Sequence, residues 1–224
     1  MFDIKIIYNK ENIESKKAAK RCQLSFNDSN LYPDLFNGVW RDNSDNFLNE
    51  YKIKFRDFDF KYSRFDGVVG CFASHYKLWS DIKRPTIILE HDAILTEPNF
   101  LNTFIQHSYD IFKNEKIIIN LGHPSYGNYE TKSNIGIYNL FSKSGKYFPG
   151  THAYAISKSA AVTLIEHTKK NNALPVDLFL NSNELDFLYE FWPWPIRCDD
   201  SFSSVQKING CIAKHNFNGK YSLI

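Results

Sequence analysis

Cysteine and long apolar runs are both scarce in this chain of 224 residues, and each scarcity excludes a class of protein. No window holds the roughly 18 consecutive apolar residues of a membrane span, and no basic segment followed by an apolar run opens the chain. The cysteines are far apart and match no zinc-binding spacing: Cys22, Cys71, Cys198 and Cys211. We therefore expect a soluble, unsecreted protein with reduced thiols in a cytoplasmic setting and no transmembrane segment.

An excess of one charge sign is also lacking, since 27 basic residues face 25 acidic residues and the net charge is +2. The lysines are scattered, which is not the pattern of a dedicated nucleic-acid-binding protein. Hydrophobic residues make up 43% of the chain and charged residues 23%, values that are ordinary for a soluble globular protein. The length suits one elaborated domain as well as two, and we predict a single domain over residues 1–224.

A short apolar run within residues 85–95 ends in two carboxylates and is the most informative stretch of the sequence. It predicts a buried strand, with Glu90, His91 and Asp92 at the point where the strand leaves the sheet, the edge at which open α/β sheets bind ligands. Because side chains alternate along extended backbone, Glu90 and Asp92 should point one way and His91 the other. Two carboxylates on one side suit Mg²⁺ or Mn²⁺ carrying a diphosphate; the alternative is that they only cap the next turn.

Candidate residues also lie on two flanking elements. Ile4–Tyr8 predicts a strand, and the helix-forming stretch after it favours an α/β fold. Asn9 would then lie at the carboxyl end of that strand, either as a nucleotide contact or as a turn residue. Residues 67–79 predict a helix packed on the sheet, in which Ser74 is one of several small residues that admit another element or a ligand. His75 on this helix is either a packed structural histidine or a functional one.

The other periodic segments predict further helices and strands, in agreement with an α/β class. We predict helices over residues 98–113, over residues 158–169 after Ser157 as N-cap, and over 175–180. We predict strands at residues 116–122, 150–157 and 196–198, and weaker ones at 51–55 and 138–141. Fully apolar strands of this kind fit a sheet that is covered on both faces.

Four segments match the motifs of one enzyme family in the family's order. They are GVVGCFASHYKLW at 67–79, ILEHDAIL at 88–95, PGTHAYAISKSAA at 149–161 and PVDLFL at 175–180. The chain thereby resembles glycosyltransferase family 25, whose versions are a GCxxSH helix, a strand ending in Glu-Asp-Asp, a GTxxYxIS unit and a PVD motif. The family's central acid is His91 in this chain, and the first 60 residues match the family only loosely.

The resemblance implies a single α/β domain of GT-A-like, Rossmann-like architecture, with a mixed sheet flanked by helices. It implies transfer of a hexose, galactose or glucose, from a UDP-sugar to a hydroxyl of a glycan or lipooligosaccharide acceptor, with inversion and with Mn²⁺ or Mg²⁺. Such a transfer needs a cation at the leaving diphosphate and a carboxylate that takes the proton of the attacking hydroxyl.

The resemblance also suggests roles for individual residues. Asp92 is the first candidate for a metal ligand, Glu90 is its neighbour and a catalytic candidate, and His215 is a third ligand or an ordinary histidine of the tail. Asp177 is a candidate base, an acceptor contact or a plain helix cap, and a helix amino terminus should depress its pKa. The candidates for contact with the nucleotide sugar are Asn9, Ser74, His75 and His91, the last of which is also a candidate metal ligand.

Two other functions fit parts of the sequence. One is a glycosyltransferase acting on hydroxymethylated bases of viral DNA, suggested by the small size, the A/T-rich type of composition, the mild basicity and the Glu-His-Asp variant. The other is a non-catalytic carbohydrate-binding protein in which Trp79, Trp192 and Trp194 stack on sugar rings. The retained carboxylates argue against the second, because a lectin does not need a site for a diphosphate and a metal.

Overall fold

The computed structural model describes residues 1–57, 63–124, 131–139, 148, 150–199 and 205. Its helices are α1 (Ile13–Ser25), α2 (Ser44–Tyr51), α3 (Phe65–Asp81), α4 (Pro98–Asn114), α5 (Lys158–Asn171) and α6 (Val176–Phe179). Its strands are β1 (Asp3–Tyr8), β2 (Asp34–Asn37), β3 (Thr86–Glu90), β4 (Ala93–Leu95), β5 (Ile118–Asn120), β6 (Gly136–Asn139), β7 (Ala153–Ile156), β8 (Leu188–Trp192) and β9 (Ile196–Cys198). Two short 3₁₀ helices, Asn27–Ser29 and Arg41–Asn43, lie in the connections.

Seven strands form one mixed sheet in the order β2-β1-β3-β7-β5-β8-β6. β1 runs parallel to β2 and β3, whereas β7 pairs antiparallel with both β3 and β5. β8 is parallel to β5, and β6 closes the sheet antiparallel to β8. The remaining strands, β4 and β9, form a separate antiparallel pair directly after the end of β3. This arrangement confirms the predicted GT-A-like α/β fold.

Helices cover the sheet on both faces, as the fully apolar strands predict. α2, α3, α5 and α6 contribute to one apolar core, and α1 and α4 contribute to the other. The strand residues divide between the cores by alternation, so that Ile88 faces α3 whereas Ile87 and Leu89 face α1 and α4. No helix of the described residues has the length and the apolar character that crossing a bilayer requires.

Local signals in the sequence account for most of the helix boundaries. The Asn12 side chain accepts a hydrogen bond from Ser15 N and caps α1, and Ser157 accepts one from Ala160 N and caps α5 as predicted. α4 begins at Pro98, where the missing N–H of proline costs nothing. These caps satisfy amide donors that have no partner within the helix.

The predicted strand at residues 51–55 is wrong. Tyr51 is the last residue of helix α2, and Phe55 makes only an isolated bridge with Ala173. The rings of Phe47 and Tyr51 stack at 4.8 Å and both meet Tyr76 of α3 edge-on. Packing on α3 therefore selects a helix where the local sequence is ambiguous. Of the predicted strand at 138–141, residues 138 and 139 belong to β6, and the other two lie outside the described residues.

Candidate active site

Glu90 is the last residue of β3 and lies at the edge of the sheet where the parallel strands β1 and β3 end. Thr151 and His152 immediately precede the antiparallel strand β7, so they arrive at the same edge. The Glu90 amide donates to the His152 carbonyl at 2.9 Å. Open α/β sheets bind ligands at this edge. The side chain of Glu90 remains 25% exposed, although its neighbours are buried.

One oxygen of Glu90 accepts two hydrogen bonds from buried side chains. Thr151 Oγ1 donates to Oε1 at 2.7 Å, and His75 Nε2 lies 3.2 Å from the same atom. Among the described residues, none forms a hydrogen bond with Oε2. Burial by itself raises the pKa of Glu90, but the hydrogen bond from His75, the positive charge that His75 carries when protonated, and the bond from Thr151 outweigh it and lower the pKa below its usual range. Glu90 is therefore held as a carboxylate.

A chain of hydrogen bonds, here called the Glu90 relay, runs from Trp79 through Tyr154 and His75 to Glu90. Trp79 Nε1 can only donate, so the Tyr154 oxygen accepts its hydrogen at 2.8 Å. The Tyr154 hydroxyl can then donate to His75 Nδ1, also at 2.8 Å. This order leaves the hydrogen of a neutral His75 on Nε2, where it points at Glu90. Three of the four relay residues are at most 2% exposed.

Asp177, in the short helix α6, is a second carboxylate of the same region. Burial and the charge of Glu90 raise the pKa of Asp177, and the hydrogen bond from Leu178 N to Oδ1, 3.1 Å long, offsets only part of this effect. The sequence-based expectation of a depressed pKa is wrong. The reason is that α6 has only four residues and supplies a weak dipole, while Glu90 lies close by.

Asn9 and His91 meet on the α1 side of the sheet, away from the Glu90 relay. Ser15 Oγ accepts a hydrogen bond from Asn9 N at 2.8 Å and lies 3.2 Å from His91 Nδ1. Burial lowers the pKa of His91, which favours the neutral ring. Asn9 is 93% buried, and its Nδ2 has no hydrogen-bond partner among the described residues. His91 thus faces away from Glu90, as the alternation predicts.

Asp92 follows in the turn between β3 and β4. Its Oδ2 accepts a hydrogen bond from Cys198 Sγ of β9 at 3.3 Å, and its carbonyl accepts from Asp199 N at 2.8 Å. Glu90 and Asp92 therefore have different hydrogen-bond partners, although only one residue lies between them along the chain. Both offer carboxylate oxygens, the ligands that Mg²⁺ and Mn²⁺ prefer, so this donor set fits a hard cation. His215 lies outside the described residues.

Ser74 and His75 are both buried, and their polar atoms bond to the protein. Ser74 Oγ donates to the Gly70 carbonyl at 2.7 Å and accepts from Val39 N at 2.8 Å, which ties α3 to the loop after β2. A side chain at Gly38 would come within 2.5 Å of Ser74 Oγ, so the loop approaches α3 as closely as a glycine permits. His75 is buried on the α3 side of Glu90 and contacts the site through its hydrogen bond to the Glu90 carboxylate.

Several residues of this region did not emerge as candidates from the sequence. Thr151 and Tyr154 lie within the segment that resembles the GTxxYxIS motif, at two of its defined positions. The motif could therefore have indicated these two residues, although their spacing in the sequence does not. Cys71 lies one helical turn before His75, and its thiol is near the carboxylates of Glu90 and Asp177. Burial, followed by the charges of these carboxylates, raises the pKa of Cys71 well above its usual value.

The tryptophans proposed as a sugar-stacking platform are largely unavailable for that role. Trp79 is 2% exposed and Trp194 is 4% exposed, and both indole nitrogens donate hydrogen bonds inside the protein, to Tyr154 and Glu190. A ring must be exposed to stack on a sugar. Trp192 is only partly buried, so the structure excludes a stacking platform of all three tryptophans and leaves one of them available.

The fold is similar to several solved transferase structures, all at low sequence identity. The inositol-1-phosphate CTP transferase of T. maritima aligns with a TM-score of 0.45 and 9% identity over 92% of each chain. The glycosyltransferase GlyE of Streptococcus pneumoniae TIGR4 aligns with a TM-score of 0.40 and 13% identity, over 85% of this chain and 45% of that one. At these TM-scores the similarity supports no conclusion about function.

A bovine protein is a sequence relative. "Probable inactive glycosyltransferase 25 family member 3" of Bos taurus is 29% identical over 139 residues, which are 57% of this chain and 23% of the relative. The chain thus spans about a quarter of that protein's length. The family model described as "Glycosyltransferase family 25 (LPS biosynthesis protein)" matches residues 10–180. This range includes the four motif segments and every candidate named above except Asn9, Trp192, Trp194 and His215. The chain therefore belongs to glycosyltransferase family 25.

Proposed function

We propose that the protein is a metal-dependent inverting glycosyltransferase that moves a hexose, galactose or glucose, from a UDP-sugar to a hydroxyl of a glycan or lipooligosaccharide acceptor. The observation that carries the proposal is the pair Glu90 and Asp177. The surroundings lower the pKa of Glu90 and raise that of Asp177, although both carboxylates lie in one region at the ligand-binding edge of the sheet. Carboxylates whose pKa values are driven apart are typical of sites in which each has a separate role.

Asp177 is the proposed general base. Its raised pKa brings its basicity closer to neutral pH, which makes it a better acceptor for the proton of an attacking hydroxyl than an ordinary aspartate. Asp177 would take that proton while the acceptor oxygen attacks the anomeric carbon and the nucleoside diphosphate leaves. Attack opposite the leaving group inverts the anomeric configuration, so a single base of this kind is sufficient.

Glu90 and Asp92 are the proposed residues of the donor side, with His215 as a further ligand. A divalent cation held there would offset the negative charge of the leaving diphosphate. Glu90 is kept ionised by His75 and Thr151, and these contacts fix the carboxylate so that Oε2 is the oxygen left for a ligand. Asn9 and His91 are proposed contacts for the nucleotide on the α1 side, where the buried Asn9 Nδ2 offers a donor.

The test is an assay of nucleotide release with a panel of nucleotide sugars and Mn²⁺, with and without glycan acceptors. We expect release from a UDP-hexose that an acceptor accelerates and that EDTA abolishes. NMR of the product would show an anomeric configuration opposite to that of the donor. Wild-type protein and Asp92→Asn should differ in release but not in melting temperature. Retention of configuration, or full activity in EDTA, would contradict the proposal.

An inactive protein is the second candidate, because the bovine relative is named a probable inactive member of the family and because His91 replaces the family's central acid. Its signature would be binding of a UDP-sugar without any release of nucleotide, with or without acceptors. A parallel arm with hydroxymethylated DNA examines the viral-DNA alternative, which no feature of the described residues favours over a glycan acceptor.

A further inference from the structure

Cys71, His75 and Glu90 form a compact group of three different metal-binding side chains. One ligand atom from each, the thiol sulfur, an imidazole nitrogen and a carboxylate oxygen, lies within 4.8 Å of the other two. Cys71 and His75 are four residues apart on α3, so they share one face of the helix, and Glu90 meets them from the end of β3. The sequence spacing of the cysteines gives no sign of such a group.

We infer that these three side chains form a site for a thiol-seeking divalent cation of the Zn²⁺ class, which shares Glu90 with the proposed oxygen-based cation site at Asp92 and differs from it in its other ligands. Sulfur, nitrogen and a single carboxylate oxygen are a donor set that suits zinc and not magnesium. Two ligands at about 2.0–2.2 Å from a tetrahedral zinc lie roughly 3.3–3.5 Å apart. His75 Nε2 and Glu90 Oε1 are already 3.2 Å apart. The Cys71 sulfur lies within 4.8 Å of both atoms, so a shift of at most roughly 1 Å brings it to the distance that a shared tetrahedral zinc requires.

The electrostatic environment favours a cation at this position. Burial first, and then the carboxylates of Glu90, Asp177 and Asp92, raises the pKa of the Cys71 thiol. The same negative potential that opposes a thiolate attracts a positive ion, and an ion bound to the sulfur displaces its proton.

The Glu90 relay supplies the outer contact that a zinc-bound histidine needs. To bind a metal through Nε2, His75 must carry its hydrogen on Nδ1, and the Tyr154 oxygen lies 2.8 Å from that atom. A phenolic oxygen can accept two hydrogen bonds, one from Trp79 and one from His75. Metal-bound histidines usually donate their second N–H to an oxygen in this way. The heavy atoms of the relay therefore need not move when the hydrogen of His75 changes from Nε2 to Nδ1.

Titration with Co²⁺, a coloured substitute for Zn²⁺, tests the inference without any assay of transfer. With excess Mg²⁺ present to fill oxygen-only sites, we expect wild-type protein to bind Co²⁺ with an intense thiolate-to-cobalt charge-transfer band. Zn²⁺ should displace the band. Cys71→Ser should lose the band and weaken Zn²⁺ binding by more than about tenfold. Removing a residue that only hydrogen-bonds to a zinc ligand already weakens metal binding by about tenfold or more, so losing a ligand itself should cost at least as much.

Cys198→Ser is the matched control, because Cys198 is also half-buried and also near a carboxylate, that of Asp92. It should keep the band. Circular dichroism melting of both variants would verify folding, since serine is nearly the same size as cysteine. Three outcomes would overturn the site: no binding of Co²⁺, binding without the band, or a band that persists in Cys71→Ser.

The consequence for activity rests on the proposed function. Zn²⁺ bound to Glu90 removes this carboxylate from the donor side, so zinc should inhibit transfer, and Cys71→Ser should be less sensitive than wild type. If Zn²⁺ binds through Cys71 without inhibiting, the metal site stands and the proposed role of Glu90 fails. If the wild type shows no transfer at all, the proposed function fails while the cobalt spectrum still decides about the site.

Discussion

Replacing Tyr154 by phenylalanine removes a single hydroxyl from the middle of the Glu90 relay. That oxygen accepts the Trp79 N–H and bonds to His75 Nδ1, each at 2.8 Å, and all three residues are at most 2% exposed. Water cannot replace the lost partner unless the core opens. The variant therefore leaves one buried donor and one buried ring nitrogen without a partner, and phenylalanine fills nearly the same volume.

The expected loss of stability follows from these two atoms. Each buried polar group left without a partner costs about 1–3 kcal/mol, so the two together cost roughly 2–6 kcal/mol. For a chain of this size, that sum lowers the melting temperature by roughly 4–24 °C. Differential scanning calorimetry at neutral pH measures the change.

Tyr76→Phe provides the control, because Tyr76 lies on the same helix as His75 and is also 2% exposed. Among the described residues, none forms a hydrogen bond with the Tyr76 hydroxyl, so the same chemical change should cost less than about 1 kcal/mol. A second readout is specific to the relay. Nitrogen NMR of His75 should show the same Nδ1 signal in the wild type and in Tyr76→Phe and a shifted Nδ1 signal in Tyr154→Phe, because only the last variant removes the hydrogen bond to Nδ1. Equal melting temperatures for the two variants, or an unchanged Nδ1 signal in Tyr154→Phe, would refute the relay.

The other predictions concern three acidic residues, Asp92, Asp177 and Glu184. Asp92→Asn should lower kcat by at least about 10²-fold, because a catalytic cation stabilises the transition state by several kcal/mol. The melting temperature should change by less than about 2 °C. Loss of the cooperative melting transition in this variant would indicate a structural role for Asp92 instead. Asp177→Asn should lower kcat by about 10²–10⁴-fold with little change in donor KM, and an unchanged kcat would remove it as the base. Hydrogen bonds from Arg56 and His167 lower the pKa of Glu184 to about 2 in the folded protein. The ionised Glu184 therefore stabilises the fold fully at pH values above its unfolded-state pKa of about 4.3, and this contribution is lost as the pH falls toward 2. Melting curves of wild type and Glu184→Gln should therefore differ at pH 7 and converge in acid, and a constant difference would contradict this linkage.

Periodicity and capping signals predicted most helices and strands, because these features depend on neighbours in sequence. The helix over Phe65–Asp81 and the cap at Ser157 are examples. The order of strands in the sheet has no such local signal. β7 enters antiparallel between β3 and β5, although more than 60 residues separate it from β3. That insertion brings Thr151 and Tyr154 to the end of β3, so the contacts that hold Glu90 could not be predicted from spacing.

Asp177 shows how a local rule fails when long-range charge is present. Its place at the start of a helix predicts a lowered pKa, and the hydrogen bond to Leu178 N does act in that direction. Burial and the charge of Glu90 act in the opposite direction and are larger. A four-residue helix has few aligned peptide dipoles, whereas a carboxylate nearby in a buried region is poorly screened. Only the three-dimensional structure shows which effect dominates.

Glu90 and His91 point to opposite sides of the sheet, which explains why a change at position 91 leaves the hydrogen bonds of Glu90 intact. Glu90 points toward α3 and His75, whereas His91 points toward α1, where its ring meets Ser15 Oγ at 3.2 Å. An acid at the middle position would share that environment with Asn9 and would add no oxygen to the relay side of Glu90. Burial lowers the pKa of His91, which favours the neutral ring. The replacement therefore changes the α1 side of this sheet edge and leaves Glu90 with the same hydrogen-bond partners.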